Sequence, residues 1–161
     1  MTERRPDPRP AAVATPAAEV TDEMLRQFAG YNMKRVYMKV RADMTATLAP
    51  TRLRVATFSA LAVILENPDI TQTQLAQALK VERSGVVVLV DELENADLIA
   101  RHRVKGDRRS YALRATLKGR RAWAKAEALV HAHEARLFAA LGAEDRARLR
   151  DMLNAIDEAT P

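Results

Sequence analysis

From Asp22 onward, side chains at steps of three and four residues fall on one stripe: Leu25, Phe28, Ala29, Asn32, Val36, Val40, Met44 and Leu48. That spacing predicts one long helix of roughly seven turns. It ends before Pro50, because the residue preceding a proline disfavours the helical conformation. A second helix is predicted over 51–66, with Leu53, Phe58, Leu61, Ala62 and Leu65 inward, stopped by Asn67-Pro68-Asp69. Thr71 and Gln74 then form a capping-box pair, a hydroxyl for the free N–H groups of the first turn and an amide reaching back. A short helix, Gln72 to Leu79, follows, with Leu75, Ala76 and Leu79 on one side. The turn Lys80-Val81-Glu82 leads into a further helix, about Arg83 to Ala96. Its inward period takes Val86, Leu89, Val90 and Leu93 and leaves Val87 and Val88 surplus.

After Asp97 the period changes. Leu98 to Val104 and Ser110 to Leu113 predict two short strands, joined by the basic segment Lys105-Gly106-Asp107-Arg108-Arg109 with glycine at its tip. Two more helices, about Leu117 to Leu141 and Glu144 to Asp157, are separated by Gly142 as a helix stop. Residues 1–20 hold four of the seven prolines without an apolar period, which predicts a disordered arm. No segment repeats.

Composition narrows the chemistry. At 161 residues the chain has room for one ordinary domain. Cysteine is absent, which removes disulfides, thiolate catalysis and cysteine-based zinc sites together. Arg4 and Arg5 are not followed by an apolar stretch, so no secretory signal is expected. The longest apolar-looking run, Ala56 to Leu65, is about half of what a bilayer span needs. A soluble cytoplasmic chain with no membrane partner is the expectation.

Charge is unevenly spread within a net of +5. Residues 24–65 hold seven Lys or Arg against one acidic residue, and residues 80–121 hold eleven against six. The remaining segments are net negative. Two separate basic zones therefore need separate explanations.

A short helix, a turn, a second helix and a basic hairpin follow one another as in a winged helix-turn-helix, and the second basic zone covers the second helix and the hairpin. The second helix is thin enough to enter a DNA major groove while the first braces it across the backbone. Arginines of the hairpin reach the narrower and more negative minor groove. From about Leu48 to Gly119 the chain resembles the multiple-antibiotic-resistance regulators, or MarR-type repressors. The resemblance is carried by ITQTQLAQAL, by VERSGVVVLVDELENADLIARH and by GDRRSYALRATLKGR. Asp107-Arg108-Arg109, followed by Thr116 and Gly119, is its most specific part.

The resemblance implies a mainly α fold with a two-stranded β-wing. Residues 51–114 would form the DNA-binding lobe, and residues 21–50 and 115–161 a helical region that holds a homodimer together. It implies double-stranded DNA with a palindromic operator as partner, and a small-molecule effector that shifts the dimer away from the spacing of successive major grooves, about 34–36 Å. The DNA-binding candidates are Thr71, Gln72, Arg83, Ser84, Gly85, Val87, Val88, Lys105, Arg108 and Arg109, with Asp107 bracing the wing. Two departures from the family pattern stand out. The reading helix offers Gly85, Val87 and Val88 where polar or arginine side chains are usual, so it can touch thymine methyls but lacks the arginine–guanine pairing. Asp97 stands where glycine is usual at the helix end, and aspartate tolerates the left-handed conformation there.

The first basic zone carries Lys34, Arg35, Lys39, Arg41, Arg52 and Arg54. In the family, effectors bind near these helices and are often aromatic carboxylates. So many cations suit a phosphate-bearing ligand, and an aromatic acid or its coenzyme A thioester is the expected effector, near Asn32, Arg35, Lys39, Arg52 and Arg54. The same cations also fit a solvated helix face, or a flank of the DNA surface. Tyr31, Met33, Tyr37 and Met38 fit either a ligand pocket or a dimer core, and Trp123 fits the core. His131 and His133 point to different helix faces, so no metal site is expected, and with His102 they are read as surface or interface residues.

No glycine-rich phosphate loop, nucleophile or framed carboxylate pair suggests an enzyme, and no cofactor is implied. Asp91 and Glu94 are expected to salt-bridge to a neighbour. The reading is a ligand-responsive repressor of a catabolic operon. The alternative is a winged-helix module that binds protein through Val87 and Val88. Steep loss of binding with salt separates DNA from that alternative.

Overall fold

The computed structural model describes residues 20–104 and 107–159, with the side chains of residues 104–110 outside that description. The arm expected over residues 1–20 therefore lies outside the described residues, Val20 excepted. The described residues fall into two compact units, divided between Arg35 and Val36.

In the first unit the expected single long helix is broken. α1 (Glu23–Arg26) ends at Gln27, and α2 (Ala29–Leu48) starts beyond Phe28. The Phe28 N–H closes a tight turn onto Leu25 O at 3.1 Å. The Asn32 side-chain amide donates to Arg26 O at 2.7 Å and to Phe28 O at 3.1 Å. The bonds to Leu25 O and Arg26 O satisfy carbonyls that the break would otherwise orphan, while Phe28 O also accepts from the Asn32 backbone N–H at 3.2 Å. Asp22 gathers the remaining polar groups. It accepts from Arg26 Nε at 2.6 Å and from the Tyr31 hydroxyl at 2.7 Å, and it also pairs with Arg35.

The second unit begins with the remainder of α2. A 3₁₀ turn over Ala49–Thr51 accommodates Pro50, and Arg52 takes a left-handed φ of 61°. The next helix, α3 (Val55–Glu66), consequently starts at Val55 and not at residue 51. The Thr57 hydroxyl fixes that start, accepting from Arg54 N–H at 2.9 Å. Strand β1 (Ile70–Thr71) precedes α4 (Gln72–Leu79) and α5 (Arg83–Asn95). The capping box is present: Gln74 N–H donates to Thr71 Oγ1 at 3.3 Å, and Thr71 N–H donates to Gln74 Oε1 at 2.9 Å.

β2 (Ile99–Val104) and β3 (Asp107–Ala115) form the antiparallel hairpin. β1 adds a third strand against β3, with Ile70 opposite Leu113 and Thr71 opposite Ala112. The sheet is thus continuous with the start of α4, which ties the hairpin to the helix pair. α6 (Leu117–Leu137) stops four residues earlier than the expected Leu141. Beyond Gly142, α7 (Ala143–Ala159) is the last described element.

The core gathers Leu48, Leu61, Ile64, Leu75, Val86, Val90, Leu93, Ile99 and Leu113, each essentially inaccessible to water. Trp123 and Phe58 stack on its edge with ring centroids 4.6 Å apart. His133, read from sequence as a surface or interface residue, is buried. Its Nδ1 lies 2.6 Å from Asp43 Oδ2, which Arg136 also approaches at 2.7 Å. A carboxylate only accepts, so the His133 Nδ1 carries the proton. No single helix among the described residues is long and apolar enough to cross a membrane.

Candidate nucleic-acid interface

α4 and α5 meet at a turn in which Lys80 takes a left-handed φ of 52° and Val81 N–H donates to Ala76 O at 3.1 Å. The inner face of α5 is Val86, Leu89, Val90 and Leu93, all buried as their spacing requires. This leaves Arg83, Ser84, Gly85, Val87 and Val88 exposed on the outer face. Thr71 and Gln72, at the start of α4, are half-buried.

Ion pairs flank α5 on two sides. From α3, Arg54 donates through Nη2 to Glu92 Oε1 at 2.5 Å, and the Glu92 carboxylate holds the Arg54 guanidinium proton more tightly than usual. From β2, Arg101 pairs with Asp91 and, at 3.3 Å, with Glu94. The carboxylates in the C-terminal half of the helix are therefore matched by cations, as expected of Asp91 and Glu94. Sequence reasoning missed the Arg101 and Arg54 partners, since each lies on another element.

The helix end and the sheet are pinned by left-handed residues. Asp97 has φ 57°, so aspartate does occupy the turn where glycine is usual. The Thr116 hydroxyl donates to Asp97 O at 2.7 Å and accepts from Gly119 N–H at 2.9 Å. Asp69, φ 72°, receives both Arg114 Nε at 2.6 Å and Nη2 at 2.5 Å. That guanidinium holds the Asp69 carboxyl below the usual carboxylate range. Asp107 begins β3, and the side chains of Asp107, Arg108 and Arg109 lie outside the described residues, as does Lys105 altogether.

The five expected effector residues are differently occupied. Asn32 seals the α1–α2 break, and Arg35 pairs with Asp22 while its guanidinium sits 5.8 Å over the Tyr31 ring. Arg54 is bound to Glu92. Lys39 and Arg52 are exposed and have no ion-pair partner among the described residues. Lys39 also edges an open groove with Ala42, Asp43, Ala46, Arg136 and Leu137. Among the described residues no three His, Asp or Glu side chains gather as a metal site would require.

The MarR family pattern matches residues 53–110, which span α3 through the start of β3. The transcriptional repressor Rv2887 of Mycobacterium tuberculosis is 30% identical over 124 residues, covering 77% of this chain and 89% of its own length. The chain belongs to the MarR family. It is accordingly a transcriptional repressor and not an enzyme. Among solved MarR structures, the repressor CouR bound to a 23-mer DNA duplex matches with a TM-score of 0.83 at 38% identity, covering 87% of this chain and 99% of that one. CouR from Rhodococcus jostii RHA1 bound to p-coumaroyl-CoA matches with a TM-score of 0.76 at 31% identity, over 85% and 96% of the two chains. Rv2887 in complex with salicylic acid matches at 0.65 and 29% identity, over 80% and 96%.

Proposed function

We propose that this MarR repressor binds a palindromic operator as a homodimer and leaves it when a small anionic aromatic effector binds. The observation that carries the reading is the division of α5: one face is sealed into the core, and Arg83, Ser84, Gly85, Val87 and Val88 stand clear of it. In this reading those residues meet the bases, with Thr71 and Gln72 at the phosphate backbone. Lys105, Arg108 and Arg109 form the wing contact, braced by Asp107. Residues 51–114 form the DNA-binding lobe. Residues 21–50 and 115–161 supply the dimer contact, where Met33, Tyr37, Met152 and Leu153 are large apolar side chains left exposed in the single chain.

For the effector, the likeness to CouR, which is solved with p-coumaroyl-CoA, supports an aromatic acyl-CoA thioester over a free acid. Lys39 and Arg52 are its first phosphate partners, because neither has to leave another residue. Asn32, Arg35 and Arg54 complete the candidate set. A regulator of this kind controls a catabolic operon whose enzymes consume the thioester.

The test is a gel-shift titration of the full chain on its own promoter DNA with p-coumaroyl-CoA, p-coumaric acid and salicylic acid. Release by the thioester alone supports the reading. Release by a free acid at equal concentration, or by none of the three, overturns the thioester assignment. In the same assay, Arg109→Ala weakens DNA binding while leaving the dimer intact. A complex indifferent to added salt would point to a protein partner instead.

A further inference from the structure

Among the described residues, nothing in the packing accounts for Gly85. It lies in the first turn of α5. A Cβ built on it meets no atom within 4 Å, and its backbone needs no left-handed φ. Glycine is less favourable than alanine inside a helix, so its place there calls for a use outside the chain. Close approach of the helix backbone to another molecule is such a use.

The neighbouring side chains say what that molecule presents. Ser84, Val87 and Val88 are spaced i, i+3 and i+4 and share one strip of the helix. Val87 is 39% exposed and Val88 54%, whereas Val86 and Val90 on the opposite side are fully buried. Valine is apolar and stiff at its first torsion, so it offers a fixed greasy surface and no hydrogen bond. The carboxylates further along the helix are drawn aside by Arg54 and Arg101. The part of the helix nearest its N-terminus is thus small, apolar and flanked by the cation Arg83.

In the major groove the apolar feature that distinguishes one base pair from another is the C5-methyl group of thymine. We propose that Val87 and Val88 read a thymine methyl in each operator half-site, with Gly85 providing the clearance that lets the helix come close enough. This rests on the reading of α5 as the DNA-contacting helix and deepens it to a base preference. The same contact accepts the methyl of 5-methylcytosine, so the strip recognises a 5-methylated pyrimidine and not thymine hydrogen bonding.

The experiment starts from a duplex enriched from a randomised pool by the full-length protein. Each thymine is then replaced singly by deoxyuridine, which deletes the methyl and leaves every hydrogen-bonding atom in place. Affinity is read by fluorescence anisotropy at fixed salt. The expected result is a loss of about fourfold at one or more thymines per half-site. The variant Val87→Ala/Val88→Ala, with unchanged thermal unfolding, binds the thymine and deoxyuridine duplexes equally. Gly85→Ala weakens both. Losses under about twofold at every thymine overturn the proposal, as does undiminished discrimination in the double alanine variant. If no duplex is enriched, the DNA-reading role of α5 itself fails and the methyl contact with it.

Discussion

Arg54, immediately before α3, is bound to Glu92 on α5, a contact between residues 38 apart in the chain. Both side chains are substantially exposed, at 61% and 42%. An exposed pair of this kind contributes only about 0.2–1 kcal/mol to stability, so its interest lies in position. It joins a cation of the first basic zone to α5, the helix proposed to face the operator. An anion that recruits Arg54 has to take it from Glu92, and α5 then loses one of the two lateral ties seen among the described residues. The other, Arg101 with Asp91 and Glu94, is unaffected.

Glu92→Gln is therefore expected to tighten p-coumaroyl-CoA binding severalfold in calorimetric titration, by leaving Arg54 available. The stability cost should stay below about 1 kcal/mol. Unchanged thioester affinity would remove Arg54 from the effector site while leaving Lys39 and Arg52 in it.

Gly119 has a different role from Gly85. A Cβ there would lie 2.0 Å from Leu98 O and 2.9 Å from Leu98 C, both backbone atoms. Neither can swing away like a side chain. The start of α6 also rests on this contact, since Thr116 N–H donates to Leu98 O at 3.0 Å. Gly119→Ala should lower the free energy of unfolding by about 1–3 kcal/mol or more, measured by urea titration. A loss below about 1 kcal/mol would mean that the α6–β2 junction shifts freely.

What could be read from sequence was local. The Thr71–Gln74 box, the inward face of α5 and the left-handed Asp97 each depend on residues within one or two turns of each other. The break at Gln27 and Phe28 was invisible because the apolar stripe runs through it unbroken, and it is sealed by the Asn32 amide. β1 is two residues long, too short to show any alternation, and exists because β3 pairs with it. Arg54–Glu92 and Asp43–His133 follow no spacing rule, being 38 and 90 residues apart. For the candidate site this means that the exposed outer face of α5 was legible and the ion pairs flanking the helix were not.

The Asp43–His133 pair offers a pH-dependent check. Hydrogen bonding to His133, and then to Arg136, holds the Asp43 carboxyl below its usual range. A depressed carboxyl contributes stability that is complete above the unfolded value, about 3.9, and is lost as pH falls through the folded one. His133→Ala removes a buried ring and should cost about 1–3 kcal/mol at neutral pH. It should also return the Asp43 titration, followed by carboxyl carbon NMR, toward the ordinary range. A titration that does not move would show that Arg136 alone holds the carboxylate.

In the first unit, Asp22 is held down to about 2 by hydrogen bonds from Arg26 and then Tyr31. The same sign applies: the network is intact above the ordinary carboxylate range and comes apart as pH falls through about 2. Tyr31, whose phenol is raised chiefly by its bond to Asp22, should titrate lower in Asp22→Asn. Ultraviolet titration of the tyrosines measures this, and an unshifted Tyr31 would show that the bond is not formed in solution.

Gly85→Ala separates a structural glycine from a functional one. Its site is open, so the added methyl meets nothing, and the variant gains the helix-propensity difference of about 0.5–1 kcal/mol. For a chain of this size Tm should rise by about 1–4 °C. Operator affinity should fall at the same time, because the methyl occupies the space through which the helix approaches the bases. The two effects have opposite signs, which a general loss of folding cannot produce. A stabilised variant with wild-type operator affinity would mean that the helix never comes close enough to DNA for residue 85 to matter. The valine strip would then lie too far out to touch a thymine methyl.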